Sequence, residues 1–333
     1  MGWQKITKIL VTGGAGYIGS NCAHKLVKAG YDVLVYDNLV YGHKKALPET
    51  ATFIEGDLSD IKKLEVVFKE HKIDAVMHFA AYTYVGESVE NPRKYFQNNY
   101  MNGFNLLNVM LDHGVKNIIF SSTCAIFGQP EKVPITEDLP KAPINPYGLA
   151  KLMFENTLSW YDQAYGLKSI CLRYFNAAGA DFNIGEDHDP ETHLIPLVLQ
   201  VALGKRQNIK IFGTDYPTKD GTCVRDYIHI SDLSEAHILA LRKLLDKGVS
   251  ESYNLGSGEG NSVKELIEVA REVTGHTIPA VESGRRAGDP AVLIGDSTRI
   301  KKELGWNPKN DLKSIIKSAW EWHNTHPDGF EDD

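Results

Sequence analysis

Tyr147 and Lys151 stand four residues apart, and the run Ser121-Ser122-Thr123 precedes them. A phenol accepts protons only as phenolate, and its ordinary pKa of about 10 is too high for that at neutral pH. A neighbouring ammonium favours the phenolate. Residues i and i+4 share one face of a helix, so a helix through this stretch sets Lys151 beside Tyr147. A hydroxyl from the serine-threonine run, at the end of a strand, would bridge a substrate oxygen and the phenol. The chemistry this set supports is removal of a hydroxyl proton while a hydride leaves the carbon that bears it. Each part alone is weak, since surface tyrosines with lysine neighbours are common and polar strand ends bond their own backbone.

A departing hydride needs an acceptor, and the start of the chain offers a place for one. Thr12-Gly13-Gly14-Ala15-Gly16-Tyr17-Ile18-Gly19 lies between an apolar strand at 8–11 and a helix predicted from about 18 to 28. Glycines there let backbone N–H groups and the helix dipole meet a pyrophosphate. Asp37 ends the next strand, just before Asn38. A carboxylate in that place accepts hydrogen bonds from the adenosine ribose hydroxyls and repels a 2′-phosphate, which favours NAD over NADP. Gly56-Asp57-Leu58 follows the third strand. Asp57 is there either a neighbour of the adenine or a turn and cap residue.

The elements that must carry these groups are legible as apolar runs. Strands are expected at 8–11, 32–36, 52–54, 75–79 and 117–120. Helices are expected at 61–70, 95–112 and 150–160, with Gly30 closing the first helix and Pro146 suited to a first turn. Strands that read as continuous apolar runs are buried on both faces of a parallel sheet. Alternating strand and helix gives an α/β fold built on a doubly wound parallel sheet. This domain is expected to span 1–176. The pattern loosens beyond it, and 177–333 reads as a smaller mixed α/β substrate region, part of which returns to the first domain. Ligands of such sheets bind beyond the carboxyl ends of the strands.

Composition bounds the function. The chain has 333 residues, 42% hydrophobic and 24% charged, with a net charge of −7 and no long like-charge run. That fits a soluble globular protein and argues against nucleic acid or an anionic membrane as partner. No apolar run approaches the ~20 residues of a membrane span. Cys22, Cys124, Cys171 and Cys223 show no paired spacing, so a reduced, cytoplasmic setting is expected. Cys124, with no histidine placed to activate it, reads as a small buried residue. The cluster Asp187, His188, Asp189, Glu191 and His193 reads as a solvated loop near the substrate rather than a metal site, because metal ligands need a rigid frame. No metal is expected.

Further motifs widen the picture: His78-Phe79-Ala80-Ala81, Val85-Gly86-Glu87-Ser88-Val89, Arg173-Tyr174-Phe175-Asn176, Gly221-Thr222-Cys223-Val224-Arg225-Asp226-Tyr227-Ile228-His229, Tyr253-Asn254-Leu255-Gly256, Arg285-Arg286-Ala287-Gly288-Asp289 and His326-Pro327-Asp328-Gly329. With the glycine loop and the Tyr/Lys pair, they resemble the extended short-chain dehydrogenase/reductase family, and within it the UDP-hexose 4-epimerases, over nearly the whole chain. The resemblance implies a Rossmann fold, a tightly held NAD that is not consumed, and interconversion of UDP-glucose and UDP-galactose through a 4-keto intermediate, a step of galactose metabolism. It implies Thr123 in the catalytic Ser/Thr position, Tyr147 as base and Lys151 as its partner. For the cofactor it implies Gly13, Gly16, Tyr17, Ile18, Gly19, Asp37, Asn38, Asp57, Leu58, Phe79, Ala80, Ala81, Asn98 and Tyr174, besides Tyr147 and Lys151. For the substrate it implies Thr123 at the sugar, Asn176 and Arg225 at the diphosphate, and Arg286 and Asp289 at the diphosphate and ribose. Arginine suits that place because its planar fork meets phosphate oxygens bidentately. His193 and Leu194 match a backbone-lined part of the nucleotide pocket. Phe212 is either a uracil contact or a core aromatic. A homodimer through the helices at 95–112 and 150–160 is implied as well.

Two positions depart from the pattern. Thr83 stands where some relatives carry a lysine, and Leu293 where they vary between tyrosine and a small residue that admits N-acetylated sugars. An alternative expectation is therefore a UDP-N-acetylglucosamine/UDP-N-acetylgalactosamine 4-epimerase, or another nucleotide-sugar enzyme of the family. A 4,6-dehydratase is disfavoured because Cys124-Ala125 follows Thr123 where those relatives carry Asp-Glu. A non-catalytic NAD-binding regulator is disfavoured by the intact Thr123, Tyr147 and Lys151.

Overall fold

The computed structural model describes residues 7–286 and 289–330. Its strands are β1 (Lys8–Thr12), β2 (Asp32–Asp37), β3 (Thr52–Glu55), β4 (Ala75–His78), β5 (Asn117–Thr123), β6 (Lys168–Tyr174), β7 (Asn176–Ala178), β8 (Ile209–Phe212), β9 (Val224–His229), β10 (Glu251–Leu255), β11 (Gly260–Ser262), β12 (Ala280–Ser283) and β13 (Val292–Leu293). Its helices are α1 (Tyr17–Lys28), α2 (Ile61–Glu70), α3 (Val85–Glu90), α4 (Pro92–Tyr95), α5 (Gly103–Asp112), α6 (Pro146–Tyr165), α7 (Leu194–Ala202), α8 (Ile230–Lys247), α9 (Val263–Thr274), α10 (Thr298–Leu304) and α11 (Leu312–Thr325). Seven strands form one sheet in the order β10-β6-β5-β4-β1-β2-β3. β1 pairs in parallel with β2 on one side and β4 on the other. The chain winds outward in both directions from that pair, which makes the end of β1 a topological switch point where ligands of such sheets bind. The doubly wound parallel sheet is the architecture the apolar runs imply.

Two details differ from the expectation. β5 continues through Ser121, Ser122 and Thr123, because the polar run stays in the ladder beyond its apolar part. The stretch expected as one helix at 95–112 is α4, then a wider π-helical stretch Phe96–Asn102, then α5. Such wide turns break the 3.6-residue register. Here the buried Asn99 amide exchanges two bonds with the Tyr82 backbone, each 2.8 Å. That local bonding is invisible to periodicity.

The chain forms two compact units. The first comprises Met1–Gly128, Lys141–Arg173 and Ser234–Tyr253, and the second Gln129–Pro140, Tyr174–Leu233 and Asn254–Asp333. The core of the first gathers Leu10, Leu34, Val76, Ile118, Phe120 and Phe154. Phe154 of α6 is fully buried and lies 4.5 Å from the Phe120 ring of β5. Burying such a side chain is worth roughly 1.5–3 kcal/mol, and it pins α6 against the strand. In the second unit β7, β9, β11 and β13 make one small sheet, with β8 and β12 as a separate pair. Its core draws Val198 and Leu199 from α7, Leu266 and Ile267 from α9, and Ile315 and Ile316 from α11.

Candidate active site

The start of α6 is built to approach the end of β5. The Asn145 side chain caps it by accepting the Gly148 N–H at 2.8 Å, and Pro146 occupies the first turn, where a missing N–H costs nothing. A Cβ on Gly148 would fall 2.6 Å from the Ala125 carbonyl oxygen. Only glycine lets the helix come this near the segment that follows Thr123. The approach joins the Tyr147 phenol to the Thr123 side chain in a hydrogen bond that favours phenolate. Thr123 Oγ1 also accepts the Ala125 N–H at 3.1 Å.

Lys151, one turn further on, is buried, with 3% exposure. Its Nζ donates to the Ser121 carbonyl at 2.8 Å and lies 4.9 Å from the Phe120 ring centre. Burial pushes its pKa down to about 7, against the raising influence of Glu155. Burial likewise pushes the Tyr147 phenol up to about 12, and the Thr123 bond offsets only part of this. In the chain by itself the phenol is thus held protonated, and a further positive charge is needed to make it a base.

One turn beyond Lys151, Glu155 forms a buried pair with Arg173 of β6. Arg173 Nε donates to both carboxylate oxygens, at 2.9 and 3.2 Å, and a terminal nitrogen donates at 2.6 Å. Ser122 Oγ donates to the same carboxylate at 2.5 Å. The pair ties α6 to both β5 and β6. Two charges removed from water are tolerable only when bonded this fully. Nearby His78 bonds the Thr12 hydroxyl through Nδ1 at 2.7 Å, and burial, then Lys151, push its pKa down to about 3. It is a neutral ring packed between the Thr12 hydroxyl and the Phe120 and Phe154 rings, whose centres lie 5.8 and 5.4 Å away.

The glycine loop after β1 has the shape a dinucleotide requires. Gly13 has φ +70°, and a Cβ there would lie 2.4 Å from the Ala80 nitrogen. A Cβ on Gly19 would lie 2.2 Å from the Gly13 carbonyl oxygen, so α1 packs directly on the loop. Tyr17 is buried in the first turn of α1, while Gly16 and Ile18 are half-buried. Asp37 is buried at the end of β2, accepting the Ala15 N–H at 2.9 Å and the Leu39 N–H at 2.8 Å. Burial raises its pKa although these backbone donors oppose the rise. Such a carboxylate gains from further donors, which a ribose diol provides. Asn38 donates to Asp57 at 2.6 Å, and Asp57 also accepts the Ser59 N–H at 2.8 Å. Asp57 is therefore part of the turn that fixes Asn38. Leu58 is buried beside it. Phe79, Ala80 and Ala81 follow β4 half-buried. Asn98 donates to Asn99 at 2.9 Å within the π stretch. The residues present fit NAD.

Apart from Thr123, the substrate candidates fall in the second unit, as does Tyr174, which is buried at the end of β6. Asn176 donates to the Asp226 carbonyl at 2.9 Å. Arg225 donates to the Val224 carbonyl at 2.8 Å and to the Asp289 carboxylate. Burial opposes its charge, but Asp289 outweighs this and raises its pKa. Leu293 of β13 stands opposite Arg225 in the ladder. Arg286 lies 4.7 Å over the Phe212 ring, which is half-buried at the end of β8 and so not a core aromatic. Ala287 and Gly288 of the same motif lie outside the described residues. His193 is the N-cap of α7 and Leu194 its first residue.

The NAD-dependent epimerase/dehydratase family model matches residues 9–256. A UDP-glucose 4-epimerase of Halalkalibacterium halodurans is 54% identical over 325 residues, 97% of each chain. Among solved structures, a UDP-glucose 4-epimerase with 52% identity superposes with a TM-score of 0.96, covering 98% of this chain and 100% of the other. The chain belongs to the UDP-glucose 4-epimerases of this family. The epimerase from Bifidobacterium longum, solved with NAD+ and UDP, superposes with a TM-score of 0.93 at 38% identity, covering 97% and 100%. NAD is accordingly the cofactor of this epimerase. Among the described residues no helix is long and apolar enough to cross a membrane.

Sequence reasoning missed the groups behind the tyrosine. Glu155 lies four residues after Lys151 on α6, so helical spacing carried a signal for it. Its partner Arg173 opens a quoted motif but gives no sign of whom it meets. Gly148 was hidden because a glycine in a helix start reads only as a weak helix former.

Proposed function

We infer that this epimerase interconverts UDP-galactose and UDP-glucose reversibly at C4. The observation that carries the reading is the Tyr147 phenol bonded to the Thr123 hydroxyl, with Lys151 one turn away, in a chain of this family. Thr123 orients the C4 hydroxyl, and Tyr147 as phenolate takes its proton. Bound NAD supplies the hydride acceptor for C4 and a positive charge that draws the phenol toward phenolate. Lys151, one turn along the same helix, favours the phenolate whenever its ammonium is charged. Once the resulting 4-keto sugar has turned over, the hydride held by bound NAD would return to the opposite face of C4 while Tyr147 gives the proton back to the C4 oxygen, and the configuration is inverted. Asn176, Arg225, Arg286 and Asp289 hold the diphosphate and ribose, Phe212 faces the uracil, and the backbone at His193 and Leu194 lines the base pocket. Arg225 exchanges its bond to Asp289 for phosphate oxygens.

The protein acts as a cytoplasmic homodimer. Exposed apolar side chains on one helical layer support this: Met101 is 48% exposed, Leu149 40%, Trp160 68% and Tyr165 53%. Light scattering is expected to give twice the chain mass, and Trp160→Glu the monomer mass. The activity is tested by following the anomeric protons of UDP-galactose after adding purified protein without NAD. Appearance of UDP-glucose is expected. No change, also after NAD is added, would sink the reading.

A further inference from the structure

We propose that Glu186, His188, Glu191 and His193 are the ligands of one zinc ion that holds the segment leading into α7. One donor atom from each of the four comes within 4.8 Å of the others. His188 Nδ1 lies 3.3 Å from Glu186 Oε1 and 3.8 Å from Glu191 Oε2. His193 Nδ1 lies 2.8 Å from the same Glu186 oxygen and 3.2 Å from Glu191 Oε1. Zinc binds imidazole and carboxylate at about 2.0–2.2 Å in a tetrahedron, which sets neighbouring donors roughly 3.3–3.6 Å apart. These separations lie around that spacing, but the two histidines face different oxygens of Glu191 and the four donors spread to 4.8 Å, so the ion enters as the side chains draw together and Glu191 turns one oxygen to it. Two imidazoles with two carboxylates are a borderline-soft, charge-neutralising set for zinc. Calcium and magnesium want six or more oxygens and find only two carboxylates here.

The frame is rigid, which the sequence does not reveal. A Cβ on Gly185 would lie 2.3 Å from the Trp322 ring, so α11 packs directly beneath Glu186. Trp322 Nε1 donates to the Asn183 carbonyl at 3.1 Å, and the Phe330 N–H to Asp187 Oδ2 at 2.8 Å. Asp187 is thus turned to the chain's last described residues, leaving Glu186 on the histidine side. Glu191 Oε1 accepts the Thr192 and His193 N–H groups, both at 2.7 Å. The carboxylates of Glu186 and Glu191 are nearly fully buried. Four protein ligands close the shell, so the ion is structural and no step of the epimerisation uses it. Because His193 occupies the N-cap position of α7, the ion fixes where that helix begins. The competing description is a set of imidazolium–carboxylate pairs with protons where the metal would be.

The test uses full-length protein without a histidine tag, purified without chelator. Stoichiometric zinc by mass spectrometry is expected, with a thermal midpoint that falls on chelation and recovers with zinc but not magnesium. His188→Gln is expected to lose the zinc and the chelator response together. Because that variant can fail to fold, cobalt is also added to the metal-free wild type, where the visible bands of tetrahedral Co(II) are expected. No stoichiometric metal, no zinc-dependent midpoint and no such bands would establish the proton-filled network instead. Zinc retained equally by His188→Gln and Glu191→Gln would mark an adventitious ion only. Each outcome stands whether or not the protein epimerises UDP-hexoses.

Discussion

Lys151 and Arg225 are both largely buried cations, but their partners differ in kind. Lys151 faces a neutral carbonyl, and its pKa falls to about 7. Arg225 faces the Asp289 carboxylate, and its pKa rises. A cation that must respond to a neighbouring phenol needs to titrate within reach of neutrality. In the proposed function Arg225 holds a diphosphate, which needs permanent charge, and Asp289 keeps that charge compensated until the ligand arrives. On that reading Lys151, in the first unit, is a preorganised group with a fixed bond, and Arg225, in the second, is a charge whose bond can be exchanged.

The first way to break this contrast is Tyr147→Phe. Removing the proton acceptor is expected to lower kcat by about 10²–10⁴-fold, with NAD still bound, as steady-state rates and cofactor content would report. An unchanged rate would remove Tyr147 from the base role. Glu155→Gln comes next. It leaves Arg173 buried without its counter-ion, and breaking such a pair costs about 3–5 kcal/mol. Urea denaturation is expected to show that loss, whereas a surface-like change below about 1 kcal/mol would mean the pair is not structural.

Arg225→Ala attacks the other region. Charged hydrogen bonds are worth about 1.5–3 kcal/mol, so KM for UDP-galactose is expected to rise roughly 10–100-fold while kcat changes little. A fall in kcat at constant KM would place Arg225 in the chemistry instead. The remaining test is the pH dependence of Lys151→Met. Lys151 moves from an ordinary 10.5 to about 7 on folding. Between those values the unfolded chain holds a proton that the folded chain lacks, so stability gains from rising pH across that window. In the cofactor-free protein, Lys151→Met is expected to raise the thermal midpoint most below pH 7. That advantage should shrink toward pH 10.5. A constant difference would show that Lys151 does not titrate there.

Much of the first unit was legible because buried parallel strands write themselves as apolar runs, and the glycine loop has a spacing set by close backbone approach. Tyr147 and Lys151 were legible because i, i+4 geometry is local. The β5 end was read short because its last three residues are polar, although they remain in the ladder. The π stretch was read as helix because Asn99 forms bonds that hydrophobic spacing does not record. Glu155–Arg173 and Arg225–Asp289 each join residues far apart in the chain, which no local pattern reports. The cluster from Asp187 to His193 reads as a solvated loop, but the rigidity of this segment comes from Trp322 and Phe330 near the other end of the described chain.

The central claim is that Tyr147, Thr123 and Lys151 drive a hydride from C4 and back without exchange with solvent. It is tested most directly with UDP-galactose carrying deuterium at C4, incubated with the protein in ordinary water. The account predicts UDP-glucose with the deuterium retained at C4. Product with protium at C4 would contradict it, because the hydrogen would then have come from water.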